Sequence, residues 1–488
     1  MLPNQKEACY EAFRSKDARF DGRLFVGVSS TGIYCRPVCP ARVPKIENCT
    51  FFTSAAEAEK AGYRPCLLCR PELAPGQAPM DASHVLARKA ARMLEENCSG
   101  GMSLAEAATY LGCSDRHLRR VFQEEFHVTP VAYTETCRLL LAKNLLTDTA
   151  LSVMDVAMAA GFGSARRMNE LFKKRYHLTP TQLRRKAAGK AVDQEISLDI
   201  GYRVPYCWDE IHDFLAGRAI AGVETADETS YARTVSLTSR SGKEVTGWMR
   251  VQNDAKKHCL RVTLAESLIP VLSQVLAGVR RVFDLYCDPE IVYEKLKIMN
   301  ELHPGLARPG MRIPGAFVPF ETAVRAILGQ QITVKAAGTL AGRIAAKFGK
   351  PIETGVEGLN RIFPTPAVLL SMKDSLEDEF GKLGIIASRS RTILSLAEAV
   401  QSGEIRLDSI ADAEMEMAKL KKIKGIGNWS AQYIAMRTMA YPDAFLETDI
   451  GIKRALPDLS PKKRLELAEA WRPWRSYAVI NLWNRKKE

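Results

Sequence analysis

A chain of 488 residues with 46% hydrophobic and 26% charged residues is too long for one core and too apolar for a disordered chain. No apolar run reaches the roughly 18 residues a bilayer demands, and the polar start "MLPNQKEACYEAFRSKD" lacks the apolar stretch of a secretory signal. A cytoplasmic protein with no membrane partner is expected, and its net charge of +13 suits a polyanion such as nucleic acid.

Residues 1–73 contain two close cysteine pairs, Cys35/Cys39 and Cys66/Cys69, separated by 26 residues. The other eight of the 12 cysteines are scattered singly. A reducing compartment argues against disulfides, so the scattered ones read as small buried hydrophobes. The C-x3-C and C-x2-C pairs have the layout of a tetrahedral thiolate site for one Zn2+. Spacing leaves two uses open. The four could be inert ligands supporting a small core. Alternatively, four thiolates around one Zn2+ carry a net charge of about −2 and can attack an alkyl carbon. Methylating one of them removes a negative charge, so DNA binding tightens. The flanking stretches "DARFDGRLFVGVSSTGIYCRPVCPAR" and "AGYRPCLLCRPE" resemble the N-terminal module of the Ada family of adaptive-response proteins. The resemblance implies that Cys35 accepts a methyl group from a DNA methylphosphotriester and that Cys39, Cys66 and Cys69 complete the zinc site. It also implies phosphate contacts from Thr31, Arg42 and Arg64. Full-length Ada proteins end in a second methyltransferase domain with a Pro-Cys-His motif. This chain has no such tripeptide and no cysteine after Cys287, so O6-methylguanine repair is not implied.

"APGQAP", Ala74 to Pro79, reads as a linker. Residues 82–186 then read as helical and hold an internal repeat with an offset of fifty: "RRVFQEEFHVTP" from Arg119 aligns with "NELFKKRYHLTP" from Asn169. In each copy a short apolar helix, Leu104–Leu111 or Val153–Ala160, meets a tight turn, and Ser114 or Ser164 caps a longer basic helix. That is helix-turn-helix grammar. A plain helical bundle would explain the repeat but not the clusters Arg116, Arg119, Arg120 and Arg166, Arg167. The segment is the most basic of the chain, since residues 81–190 hold 17 Lys+Arg against 11 Asp+Glu. It resembles the AraC-type DNA-binding domain, which implies that the N-terminal halves of the second helices read bases.

"AAGKAVDQ", Ala187 to Gln194, is a second linker candidate. Residues 195–285 show strand-like alternation in "EISLDIGYRV", "ARTVSLTS" and "KHCLRVTLA". Residues 288–488 return to a helical pattern containing "LKKIKGIGNWSAQYIAMR". There Gly425 and Gly427 let backbone N–H groups approach a phosphate at the start of a helix. Asp449 follows 22 residues later, in "AFLETDIGIKRAL". The combination resembles the helix-hairpin-helix DNA glycosylases, in which such an Asp is the essential carboxylate; its plainer use is a helix cap. Trp429 stands where bifunctional members have a Schiff-base Lys, and no iron–sulfur cysteines follow, so a monofunctional enzyme without that cluster is implied. "FLAGRAIAGVET", "RVFDLYCDP", "RAILGQQITVKAA" and "WRPWRSYAVINLW" resemble the AlkA family of 3-methyladenine DNA glycosylases. That implies an aromatic cage of Trp429, Tyr433 and Trp483, with Trp471 and Trp474 left to the core. Gln331 takes the place of the family's Leu wedge, and Ile450 and Asn484 replace tyrosines.

The expected architecture is multidomain α+β. It comprises a small four-cysteine zinc domain, an all-α double helix-turn-helix, a β-containing subdomain and an all-α helix-hairpin-helix domain. The expected function is a methyl-activated transcription regulator fused to a glycosylase acting on double-stranded DNA, monomeric and contacting RNA polymerase. The alternative is a regulator whose C-terminal half is a non-catalytic DNA-binding scaffold.

Overall fold

The computed structural model describes residues 3–17, 20–21, 24–53, 55–71, 82–100, 102–187, 196–239 and 241–485. The first expected linker, and all but Ala187 of the second, lie outside them. The chain divides into two compact units, Met1–Leu94 with Met102–Thr134, and Glu95–Gly101 with Glu135–Glu488. Among the described residues no helix is long and apolar enough to cross a membrane.

The first unit begins with α1 (Pro3–Arg14), β1 (Phe25–Val28), β2 (Ile33–Cys35), β3 (Cys49–Phe52), α2 (Ala55–Lys60) and β4 (Arg64–Pro65). The sheet runs β3-β1-β2-β4, with β2 and β4 parallel in the register Ile33↔Arg64. Every residue of β1, "FVGV", is buried, because both faces of the sheet are covered. Ala12 and Phe13 of α1 pack with Leu24, Val26, Cys49 and Phe51. Phe25, Tyr34 and Phe52 meet Ala58 of α2. Gly27 is needed for this: a Cβ there would lie 2.8 Å from the Phe52 ring and 2.9 Å from Tyr63.

Next come α3 (Ala82–Glu96), α4 (Leu104–Tyr110), α5 (Asp115–Phe126) and α6 (Pro130–Asp148), then α7 (Val153–Ala159), α8 (Ala165–Tyr176) and α9 (Pro180–Ala187). The two copies of the repeat share their caps. The Ser114 and Ser164 hydroxyls accept the N–H groups of His117 and Arg167, both at 3.2 Å. Both second helices end on a left-handed histidine, His127 at φ 57° and His177 at φ 54°. Pro130 and Pro180 then open the next helices, where a missing N–H costs nothing.

In the second unit β5 (Ile196–Gly201), α10 (Trp208–Ala216), β6 (Glu224–Ala226), β7 (Ser230–Thr238), β8 (Glu244–Asp254) and β9 (Cys259–Leu264) form an antiparallel sheet, β5-β9-β8-β7-β6, with one helix inserted. β5 alternates buried and part-exposed residues, the period-two pattern of a sheet with one covered face. A 3-10 segment, Glu266–Val271, leads into α11 (Leu272–Val282). The second helix-turn-helix copy packs on this region. Helix α7 touches the 3-10 segment. Ser99 and Ser273 hydroxyls bond at 2.6 Å, and Arg281 pairs with Glu96 at 2.7 Å.

The remaining helices are α12 (Pro289–Leu296), α13 (Pro319–Leu328), α14 (Val334–Phe348), α15 (Pro366–Leu370), α16 (Leu376–Lys382), α17 (Ala387–Gln401), α18 (Ala413–Leu420), α19 (Asn428–Thr438), α20 (Ile450–Ala455), α21 (Pro461–Ala468) and α22 (Arg475–Trp483). They enclose two apolar cores, one around α13, α17 and α19 and one around α12, α20 and α22. A buried ion pair, Arg233 to Glu321 at 2.9 Å, ties β7 to α13. The architecture is therefore multidomain α+β: a four-cysteine module on a small sheet, a helical helix-turn-helix region, an antiparallel β subdomain and a helix-hairpin-helix domain.

Candidate functional site

Pairing of β2 with β4 brings the two cysteine pairs together: Cys35 ends β2, and Cys66 directly follows β4. The sulfurs of Cys35, Cys39, Cys66 and Cys69 all lie within 4.8 Å of one another. A tetrahedral site with Zn–S bonds near 2.3 Å needs sulfurs about 3.8 Å apart, so the four fit one ion with small side-chain shifts. Their contact favours the thiolate on one sulfur at the other's expense: Cys35 lowers the pKa of the Cys39 thiol, and Cys39 raises that of Cys35. Cys69 accepts the backbone N–H of Arg36 at 3.4 Å. The wholly buried Arg36 guanidinium pairs with Asp21 and donates to the Cys69 carbonyl at 3.3 Å, bracing the knuckle. Thr31 is exposed in the β1–β2 turn, and the Arg64 N–H donates to the Gly32 carbonyl at 2.9 Å, so these two share one sheet edge. Arg42 is exposed on the loop between β2 and β3.

Arg116, Arg119, Arg166 and Arg167 are exposed in the N-terminal halves of α5 and α8. Arg119 pairs with Asp115 at 2.7 Å, Arg166 with Glu170 at 3.1 Å, and Arg167 with Glu135 at 2.9 Å. Exposed pairs of this kind are worth about 0–1 kcal/mol, so these guanidinium groups are only loosely committed to their carboxylates.

The hairpin between α18 and α19 turns at Gly425, φ +99°, where a Cβ would lie 2.2 Å from the Thr392 hydroxyl. Thr392 is fixed there by a 2.8 Å bond to the Lys424 carbonyl. Gly427 caps α19 with no side-chain cap, and a Cβ there would meet nothing within 4 Å. Gly425→Ala is expected to cost about 2 kcal/mol or more through left-handed strain and the Thr392 clash. It should also weaken binding to duplex DNA; thermal melting and fluorescence anisotropy read the two effects. Gln331 is exposed with φ +57° at the tip of the α13–α14 loop. Its neighbour Gln330, which sequence reading passed over, donates to the Gly425 carbonyl at 2.8 Å and to Ser430 at 2.9 Å. That side chain fixes the loop to the hairpin.

Asp449 is both a helix cap and the centre of an aromatic set. Its Oδ1 accepts N–H groups from Gly451 at 2.7 Å, Ile452 at 3.2 Å and Trp483 Nε1 at 2.8 Å. Its Oδ2 accepts Trp429 Nε1 at 3.1 Å. Trp429 stacks on Tyr433, centroids 5.2 Å apart and planes within 9°, and Tyr433 faces Trp483 at 6.3 Å. Phe214 of α10 stacks on Trp483 at 6.0 Å, and the Arg218 guanidinium lies 3.6 Å over the Phe214 ring. Neither residue stood out in the sequence; "FLAGRAIAGVET" contained them, with no spacing to mark them. Ile450 is 60% exposed, and Asn484 donates to the Ile480 carbonyl of its own helix. Trp471 lies in the core and Trp474 against Tyr477. Gly451 gives Trp483 its room, since a Cβ there would sit 2.5 Å from the indole. Gly451→Ala is expected to displace Trp483 from Asp449 and to slow base release by about tenfold or more, read in a single-turnover assay, because small misplacements at a reacting centre are costly.

Family models divide the chain into four matches: the metal binding domain of Ada over residues 8–72, a helix-turn-helix domain over 107–186, the AlkA N-terminal domain over 197–318, and the HhH-GPD superfamily of base excision DNA repair proteins over 324–475. "DNA-3-methyladenine glycosylase 2" of Escherichia coli is 35% identical across 58% of this chain and 95% of its own. "Bifunctional transcriptional activator/DNA repair enzyme AdaA" of Bacillus subtilis is 31% identical across 38% of this chain and 83% of its own. "Probable bifunctional transcriptional activator/DNA repair enzyme AlkA" of Mycobacterium tuberculosis is 35% identical over 487 residues, 98% of this chain and 96% of its own. A match running nearly end to end, over all four segments, makes the chain a member of the AlkA family of bifunctional transcriptional activators and DNA repair enzymes, in which an Ada-type metal-binding module and a DNA-binding helix-turn-helix region are fused to a DNA-3-methyladenine glycosylase.

Proposed function

We propose that the glycosylase half releases alkylated bases through Asp449, and that the single observation supporting this most strongly is the geometry of its carboxylate. Two indole and two backbone N–H groups orient that carboxylate among Trp429, Tyr433 and Trp483. Gly425 and Gly427 hold the DNA backbone at the hairpin, and Gln331 fills the gap left by the flipped nucleotide. The flipped base enters against the aromatic faces. The C1′–N bond then breaks with its electron pair leaving on the base. The Asp449 carboxylate stabilises the oxocarbenium-like sugar, and water adds at C1′.

In the regulatory half, Cys35 Sγ takes the methyl group of a DNA methylphosphotriester. An S–C bond forms, the methyl C–O bond breaks, and the oxygen keeps the pair as a phosphodiester anion. Cys35, Cys39, Cys66 and Cys69 would hold a zinc ion, which would keep their sulfurs deprotonated at neutral pH. Thr31, Arg42 and Arg64 orient the phosphate, while Arg116, Arg119, Arg166 and Arg167 bind promoter DNA. Methylation lowers the cluster's negative charge and tightens that binding. The working segments are 1–73, 82–186, 195–285 and 288–488, in a monomer of the cytoplasm that meets RNA polymerase at the promoter.

The test is incubation of the intact chain with methylated duplex DNA. Free 3-methyladenine and 7-methylguanine should appear, together with a single methyl adduct on Cys35. Absence of released base would return the C-terminal half to a DNA-binding scaffold. An adduct confined to Cys66 or Cys69 would remove the acceptor role of Cys35.

A further inference from the structure

The loop that carries Gln331 is clamped from two directions. It joins α13 to α14, and Gln331 at its tip stands exposed at φ +57°, a conformation that residues with a side chain seldom adopt. Such a conformation persists only where the surroundings impose it. Arg389, in the first turn of α17, donates to the Gln330 carbonyl. That carbonyl belongs to the peptide bond that supplies the Gln331 nitrogen, so the guanidinium fixes the plane about which Gln331 turns. The Gln330 side chain meanwhile reaches the hairpin, donating to the Gly425 carbonyl at 2.8 Å and to the Ser430 hydroxyl at 2.9 Å. Helix α17 closes the third side, where Thr392 donates to the Lys424 carbonyl at 2.8 Å. Loop, hairpin and helix thus hold one another in a closed triangle of hydrogen bonds.

Ser430 is 3% exposed and adjoins Trp429, whose indole bonds Asp449. The bonds from Gln330 therefore set the loop at a fixed offset from the hairpin glycines and from the carboxylate together. Extruding a nucleotide leaves a gap in the stack, and the base returns unless the gap is occupied. An exposed side chain on a free loop would have to be ordered at that moment, at an entropic cost. A loop already held at the right offset avoids that cost. We propose that Gln330 and Arg389 are positioning residues for base extrusion, which keep Gln331 ordered beside the phosphate-binding hairpin so that gripping the backbone and filling the vacated stack are one event. Both act through Gln331 and not on the reacting sugar. The inference rests on the glycosylase reading of the C-terminal half, with Gln331 as the residue that fills the gap.

The experiment is a double-mutant cycle on single-turnover release of 7-methylguanine, placed singly opposite cytosine in duplex DNA. Gln330→Met keeps the volume of the side chain and removes its donor. Gln330→Met and Gln331→Ala should each slow release about tenfold, the scale of a small misplacement. The double variant should be slower than either by less than about twofold, because Gln330 acts through a side chain no longer present. Arg389→Met should repeat the pattern, and it carries the test if Gln330→Met lowers the melting temperature. Fluorescence of 2-aminopurine beside the lesion, which brightens when its neighbour leaves the stack, should fall in every variant. Losses that multiply to about a hundredfold in the double variant would assign Gln330 to independent support of the hairpin and overturn the proposal. Slower release with unchanged fluorescence would overturn it too, as would full activity in Gln330→Met and Arg389→Met. Full activity in Gln331→Ala would remove the gap-filling role of Gln331 and this inference while leaving Asp449 in place. No release by wild type would remove the glycosylase reading and this inference together.

Discussion

Asp449→Asn is expected to slow release of 3-methyladenine about a thousandfold, near 4 kcal/mol of lost transition-state stabilisation, while leaving folding and DNA binding nearly unchanged. The substitution is informative because Asp449 has two duties. As the N-cap of α20 it accepts the N–H groups of Gly451 and Ile452 through Oδ1. Asn caps a helix about as well as Asp, so that duty survives. The amide oxygen can also keep the Trp483 indole bond at Oδ1. What disappears is the charge, together with the acceptor at Oδ2 for Trp429. Chemistry and structure therefore separate cleanly. Asp449→Ala would confuse them, since losing the cap costs about 1 kcal/mol and frees both indoles. Single-turnover base release, melting temperature and affinity for an abasic-site duplex together make the comparison. Normal release by the Asn variant would displace Asp449 from the chemistry.

Cys35→Ala is expected to abolish methyl uptake from methylated duplex, leaving base release intact, with the module still folded around a more weakly held metal. Cys69→Ala is expected to do worse. Cys69 is fully buried and accepts the Arg36 N–H, and it anchors the knuckle that Arg36 and Asp21 brace. A structural thiolate site contributes on the order of 10 kcal/mol to a small module at neutral pH. Losing a central ligand, or adding a strong chelator, should therefore unfold residues 24–71. Mass spectrometry of the methyl adduct, with zinc content and melting of each variant, distinguishes a reacting ligand from a holding one. A methyl adduct persisting in Cys35→Ala at wild-type level would place the acceptor elsewhere.

Some of this molecule could be read without coordinates because the physics was local. Two cysteine pairs at metal-ligand spacing announce their site, whatever surrounds them. The strands near residue 200 show period-two alternation because one sheet face is covered, and β5 keeps that pattern. The Ser caps of α5 and α8 follow from short-range hydrogen bonding. The matched histidines at 127 and 177 were visible as a repeat, but their use as left-handed helix ends was not, since His is no usual choice there. β1 was harder still: four consecutive buried residues carry no period. The aromatic set was only half legible. Trp429 and Tyr433 sit one helical turn apart, whereas Phe214 arrives from a helix inserted in the β subdomain about two hundred positions earlier, and Arg218 from the turn just after it. An arginine in a turn after a helix reads as surface charge until its partners are known. Gln330 carried no signal of its own in the sequence, because its bond to the Gly425 carbonyl joins positions almost a hundred residues apart.

The contact of the second helix-turn-helix copy with the β subdomain bears on how this chain can be dissected. Leu268, Val271 and Leu272 belong to the same apolar core as Val156, Ala160 and Phe162, and Ser99–Ser273 and Glu96–Arg281 border it. A cut in the segment after Ala187 severs the polypeptide without separating the pieces, which would migrate together as a nicked complex. A glycosylase fragment begun at residue 195 would instead start life with an uncovered greasy patch. Expression boundaries drawn from family matches alone would keep Asp449 and its aromatic set and still give a poorly soluble fragment.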